Sequence, residues 1–156
     1  MPLDDTIHDI GALGGLPFFL LMTALIALGR DGWLPLLITL LLGLVACFTV
    51  TAAIRWLWFR QRPVPQQHSN WFQRIDASSF PSLHAMRAAF LATVIIILAR
   101  FSIAVVVASV LVTVAVCWAR VRMKKHHISD VVVGAVLGVI MALAAMVLMV
   151  VVPTWF

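Results

Sequence analysis

Residues 33–59, WLPLLITLLLGLVACFTVTAAIRWLWF, contain one charged side chain, Arg55. A helix needs ~20 apolar residues to cross a hydrocarbon core, so this run is long enough to span with tilt. Outward from it, further apolar runs occupy about 16–29, 84–99, 101–118 and 129–152. The composition agrees. Of 156 residues, 63% are apolar and 11% charged, against roughly 45–50% and about 25% in soluble domains. A particle of this size cannot hide that excess from water, which excludes a soluble enzyme, a disordered tail and a DNA-binding module. The expected fold class is all-α: a polytopic transmembrane helix bundle of about five spans, forming one membrane-embedded domain over 1–156.

The connections are short. Residues 3–14 mix polar and apolar side chains and read as an interfacial helix. Gly29-Arg30-Asp31-Gly32 reads as a tight turn. Residues 60–83, with Pro63, Pro65, Asn70 and Pro81, read as a loop. The first apolar run is short unless it borrows from the segment before it, and the second is the 33–59 run. With five spans, the 60–83 loop, the 119–128 connection and the N-terminus share one face. Trp56, Trp58, Trp71 and Trp118 then fall near that face, with Trp33 and Trp155 near the other, as interfacial belts do. Gly134, Gly138 and Ala142 repeat every fourth residue along the last span, a stripe that lets another helix approach closely. Cys47 and Cys117 lie inside apolar runs and read as small buried hydrophobes. The acidic start (Asp4, Asp5, Asp9) has no Lys or Arg before Arg30, unlike a cleavable signal peptide.

Eleven Lys+Arg face six acids, all Asp, for a formal charge of +5. No basic tail is present and most cations border apolar runs, which argues against nucleic acid and for an anion receptor at the membrane surface. Three clusters carry the chemistry, all on the shared face. The first holds Arg55, Arg60 and Arg62. Arg55 and Arg62 are seven apart, so a helical segment would put both on one stripe; an Arg at the edge of a hydrocarbon-facing run is usually retained for a ligand or partner. For Arg60, snorkelling to headgroups is the better reading. The second is Pro81-Ser82-Leu83-His84, where a helix N-terminus offers free N–H groups to phosphate, Ser82 a hydroxyl, and His84 a group that titrates near neutrality. The third runs from Arg120 to Asp130. His126 and Asp130 are four apart, so if one helix holds both, the carboxylate lies a turn from the imidazole and can support it.

Together the clusters resemble the type 2 phosphatidic acid phosphatase superfamily of membrane lipid phosphatases. Its pattern K-x6-R-P, P-S-G-H, S-R-x5-H-x3-D meets Arg55-x6-Arg62-Pro63, Pro81-Ser82-Leu83-His84 and Ala119-Arg120-x5-His126-x3-Asp130 in order and spacing. Arg55 stands for the family Lys, Leu83 for Gly and Ala119 for Ser. The resemblance implies a metal-independent hydrolase without cofactor, acting on a membrane lipid phosphate or diphosphate of the undecaprenyl diphosphate or phosphatidylglycerophosphate class. It implies His126 as nucleophile forming a phosphohistidine, Asp130 holding its ring, and His84 as acid and then base. Arg55, Arg62, Arg120, Ser82 and the Leu83 N–H would bind the phosphate oxygens.

Counting from both Arg120 and Asp130 selects His126 over His127. Neighbouring helical residues point about 100° apart, and there is no Glu, so a zinc site on His84, His126 and His127 is the weaker chemistry. A lipid-phosphate phosphotransferase and a non-enzymatic lipid-phosphate binder or transporter are the alternative functions. The expected location is the bacterial inner membrane, with the active face extracytoplasmic.

Overall fold

A computed structural model describes residues 3–29, 31 and 33–151. Among them the chain forms seven helices: α1 (Leu3–Ala12), α2 (Leu16–Leu28), α3 (Trp33–Leu57), α4 (Trp71–Ala77), α5 (Leu83–Leu98), α6 (Ile103–Arg122) and α7 (Ile128–Val151). Trp155 and Arg30 lie outside the described residues. This is the all-helical membrane bundle that the apolar runs predict, and its helices make the protein an integral membrane protein.

The spans are unequal. α3, α6 and α7 are each long and apolar enough to cross a bilayer, while α1 and α2 qualify only together, as a pair bent by 47°. α5 has 16 residues, about 24 Å of helix, short of a full hydrocarbon core. It tolerates this because protein surrounds it: α7, α6, α2 and α3 all pack against it, and half of its length from Ala85 to Val94 is sealed from solvent. The five apolar runs therefore become three full helices, one bent pair and one short central helix.

Other boundaries shift for local reasons. α6 continues past Trp118 to Arg122, carrying Arg120 on its last turn. The 60–83 segment is not all loop, since it contains α4. Asn70 caps that helix by accepting from the Gln73 N–H at 2.9 Å, and the Gln73 side chain accepts from the Ser69 N–H at 2.8 Å. These paired bonds satisfy first-turn donors much as a capping box does. α2 opens after Gly15 with Pro17 in its first turn, where the missing N–H costs nothing.

Lipid tails are as apolar as Leu, so helix association depends on close packing rather than on escape from water. The α5–α7 seam shows how closeness is reached. A Cβ on Gly134 would collide with the Ser82 carbonyl, and one on Gly138 with the Met86 carbonyl. Ala142 continues the stripe and is fully buried. Gly43 of α3 similarly receives the Phe90 ring, which also stacks on Phe19 of α2 at a 5.8 Å centroid distance. Phe19, Leu36, Leu40, Cys47, Met86, Phe90 and Val94 form the core. Both cysteines are free thiols, Cys47 buried and Cys117 half-buried. The outer faces of α3, α6 and α7 carry exposed Leu, Val and Phe, and Trp33, Trp56, Trp58, Trp71 and Trp118 are all exposed near helix ends or on α4.

Overpacking this seam should loosen the bundle. Gly138→Val should lower stability by about 1–3 kcal/mol, whereas Val139→Leu, on the exposed side of the same helix, should leave it near wild type. Thermal unfolding in detergent, followed by circular dichroism, measures both.

Candidate active site

The C-terminal ends of α3 and α6 and the N-terminal ends of α5 and α7 meet at one end of the bundle, where two connections interlock. The Ser79 N–H donates to the Arg60 carbonyl at 2.8 Å, the Ser82 N–H to the Asp130 carbonyl at 3.0 Å, and the Val64 N–H to the Lys124 carbonyl at 3.4 Å. Backbone bonds thus close the α3–α5 connection on itself and fix it onto the α6–α7 connection and the first turn of α7.

His126 lies within this clasp, 2% exposed. Its Nδ1 is 2.6 Å from the Ser79 carbonyl oxygen. A carbonyl only accepts, so Nδ1 carries the hydrogen and Nε2 presents its lone pair. Burial, and then the charge of Arg120, push the imidazole pKa down to about 3, against the opposing pull of the Ser79 carbonyl. The ring is therefore neutral at ordinary pH.

Asp130 is fully buried, and its geometry departs from the one-helix expectation. Its Oδ2 is 3.9 Å from His126 Nδ1, beyond hydrogen-bond range. The cause is that α7 begins at Ile128, so His126 precedes the helix and helical spacing does not relate the two. Asp130 instead caps α7, its Oδ2 accepting from the His127 N–H at 2.8 Å. Its other oxygen meets Arg60 Nη1 at 2.7 Å. That nitrogen also donates to Ser129 Oγ at 2.7 Å. Arg60 is thus a paired part of the site rather than a headgroup anchor. The signal for it was Asp130 itself: the only acid beyond Asp76, buried, needs a cation.

Arg55 and Arg62 do not share a helical stripe, because α3 ends at Leu57. Both reach the segment before α5 by other routes. Arg55, buried, donates to the Pro81 carbonyl at 2.9 Å and the Ile75 carbonyl at 3.3 Å. Arg62 donates to the Asp76 carbonyl, and burial holds its pKa below the ordinary value. The Nε of each is buried without a partner. Ser82 is buried and caps α5, its Oγ accepting from the Ala85 N–H at 3.5 Å. Leu83 opens that helix, with its N–H among the first-turn donors.

Arg120 has no hydrogen bond or ion pair among the described residues, and its Nε is sealed off. With His84 and Lys125 it lines a cavity of about 720 Å³ whose apolar wall comes from Leu16, Phe18 and Leu21 of α2. Lys125 is held below its ordinary pKa by partial burial and by repulsion from Arg120 and Arg62. The α1–α2 elbow closes the cavity from above: a Cβ on Gly14 would stand 2.8 Å from the His84 carbonyl oxygen, and one on Gly11 3.2 Å from Met123 Sδ. His127 faces away, with Nε2 3.3 Å from the Gln61 carbonyl. Among the described residues, no three His, Cys or Asp converge to hold a metal ion.

The apolar bundle thus carries at one end a cavity lined by cations, with one oriented neutral imidazole and a second imidazole nearby. Residues 33–152 match the PAP2 superfamily, and the chain belongs to that superfamily of membrane phosphatases. Its fold is similar to the crystal structure of a transmembrane PAP2-type phosphatidylglycerolphosphate phosphatase from Bacillus subtilis. The TM-score is 0.76 at 23% identity, covering 99% of this chain and 80% of that one. The structural likeness thus takes in α1 and α2, which lie outside the family match.

Because His126 titrates near 3 when folded and near 6.5 when unfolded, the unfolded chain takes up its proton first. This group therefore costs stability progressively as pH falls from about 6.5 to about 3, and nothing above. ¹⁵N-histidine spectra should find His126 neutral with Nδ1 protonated down to about pH 4. Arg120→Ala should move its titration upward.

Proposed function

We propose that this protein hydrolyses a phosphate mono- or diphosphate ester of a membrane lipid, of the undecaprenyl diphosphate or phosphatidylglycerophosphate class, through a phosphohistidine. The observation that carries the reading is the bond from His126 Nδ1 to the Ser79 carbonyl. It holds a deeply buried ring in the tautomer whose free Nε2 can attack phosphorus.

Nε2 forms a bond to phosphorus while the bond from phosphorus to the lipid oxygen breaks. The electron pair leaves with that oxygen, which takes a proton from His84. Water then attacks phosphorus, giving its proton to His84, while the bond from phosphorus to Nε2 breaks, its electron pair returns to the ring, and inorganic phosphate departs. Phosphoryl transfer depends on positioning and on charge stabilisation. Arg120, whose side chain has no hydrogen-bond or ion-pair partner among the described residues, supplies the first guanidinium. Arg55 and Arg62 add charge and, through the Pro81 and Asp76 carbonyls, hold the Ser82–Leu83 turn, from which the Leu83 N–H meets the phosphate. Asp130, 3.9 Å away, favours the cationic ring that forms on attack, and Arg60 holds that carboxylate in place at 2.7 Å. With guanidiniums in this role the reaction runs without a metal ion.

The membrane is the bacterial inner membrane and the active face is extracytoplasmic. Nine of the eleven cations lie toward that face, which by simple counting would point inward. But Arg55, Arg87 and Arg120 are buried in the site and Arg60 is ion-paired, so these are not topogenic charges. The N-terminal segment up to Arg30 carries acids and no Lys or Arg.

Purified protein in EDTA should release free phosphate from the lipid substrates. His126→Ala should abolish turnover and an acid-labile phosphoenzyme, while His127→Ala should keep most of both. Phosphate passed to an acceptor lipid without release would make it a phosphotransferase, and EDTA-sensitive turnover would remove the metal-independent mechanism. A reporter in the 60–83 segment that reads cytoplasmic would reverse the orientation.

A further inference from the structure

Arg87 belongs to none of the three sequence clusters and has no part in the reaction just described. It lies three residues after His84 on α5, on the same face and about one turn deeper into the bundle. It is 7% exposed, makes no hydrogen bond or ion pair among the described residues, and its Nε is sealed without a partner. A guanidinium cannot shed its charge, so burying one unpaired inside a membrane span is costly unless a ligand completes it. Arg87 lines the 720 Å³ cavity together with His8, His84, Arg120 and Lys125, and no carboxylate is among its described lining residues.

The position of Arg87 relative to the two imidazoles indicates what it would bind. His84, Arg87 and Arg120 line the cavity, and His126 is not among its lining residues. Arg87 therefore sits on the His84 side of the site. In an in-line displacement the nucleophile and the leaving group stand on opposite sides of phosphorus, so the side of the proton donor is where the rest of the headgroup lies. A lipid with a single phosphate, gripped by Arg120 and attacked by His126, offers no second anionic group to a guanidinium one turn beyond His84, only neutral ester oxygens. A lipid with a second phosphate does.

We propose that Arg87 anchors a second, non-reacting phosphate of the lipid and makes the site selective for substrates carrying two phosphates. This rests on the reading of the site as a lipid phosphatase. The second phosphate is either the inner phosphate of a diphosphate, which becomes the leaving group, or a phosphodiester separated from the cleaved ester by glycerol. In both cases the chain continues along Phe18 and Leu21 of α2.

The test compares the intact wild-type protein with Arg87→Met and Arg87→Lys in mixed micelles, on phosphatidate, a polyprenyl diphosphate and phosphatidylglycerophosphate. In Arg87→Met, the kcat/KM of a two-phosphate lipid relative to phosphatidate should fall about ten- to a hundredfold, chiefly through KM, as expected for loss of a charged hydrogen bond. Arg87→Lys should recover much of that ratio. Which of the two lipids loses selectively identifies the source of the second phosphate. A ratio that stays at the wild-type value, or a parallel fall on all three lipids, overturns the proposal. Binding of non-hydrolysable phosphonate analogues of the same three lipids separates the two readings. If wild type turns over none of the lipids yet prefers the two-phosphate analogues in an Arg87-dependent way, the phosphatase reading fails and the subsite stands. If the preference survives Arg87→Met, the subsite fails whatever the activity.

Discussion

A carboxylate with no access to water must have a cation, and at the end of this bundle that need organises everything nearby. Asp130 is the only acid in the second half of the chain, and it is fully buried. Its pairing with Arg60 joins the end of α3 to the start of α7. Its acceptance of the His127 N–H starts α7 at a fixed residue, and its own carbonyl holds Ser82. Three stretches far apart in sequence are brought to one place by the groups of a single residue. Removing one partner of such a pair strands the other charge, so the arrangement holds as a unit.

The remaining cations divide by what they touch. Arg55 and Arg62 are engaged with carbonyls of the segment before α5, and so shape the turn at the head of that helix. The side chains of Arg120 and Arg87 have no hydrogen-bond or ion-pair partner among the described residues and lie on the cavity wall. The protein commits some guanidiniums to its own loops and leaves others to the role proposed for them toward an anion. Four like charges near one another would repel strongly in a low-dielectric setting, and a multiply charged ligand relieves this far better than a neutral one.

How much of this was legible in the sequence follows from the kind of signal each feature leaves. The spans were legible because an apolar run of about 20 residues is seldom anything but a membrane helix. The Gly134–Gly138–Ala142 stripe was legible because close helix approach needs small residues at helical spacing. α4 was passed over because prolines on either side of it dominated the reading, although Asn70 and Gln73 mark its start. Helical periodicity failed for Arg55 and Arg62, and again for His126 and Asp130, for one reason: each pair straddles a helix end, and spacing rules stop where the helix does. The same limit hid Arg60. Three arginines in eight residues give no sign of which will meet a distant Asp once the chain has left the helix. The Ser79 carbonyl that orients His126 was invisible because a backbone acceptor has no residue type.

The elbow between α1 and α2 carries a mechanical consequence. Gly14 has no room for a side chain against the His84 backbone, so the N-terminal bent pair and the head of α5 cannot shift independently. α2 is anchored in lipid along its length, and its tilt adjusts when the hydrophobic thickness around it changes. Any such re-tilting is delivered straight to the backbone of His84, the residue proposed to handle the proton. Bilayer thickness thereby bears on where the head of α5 sits, through a steric coupling that requires no regulatory ligand.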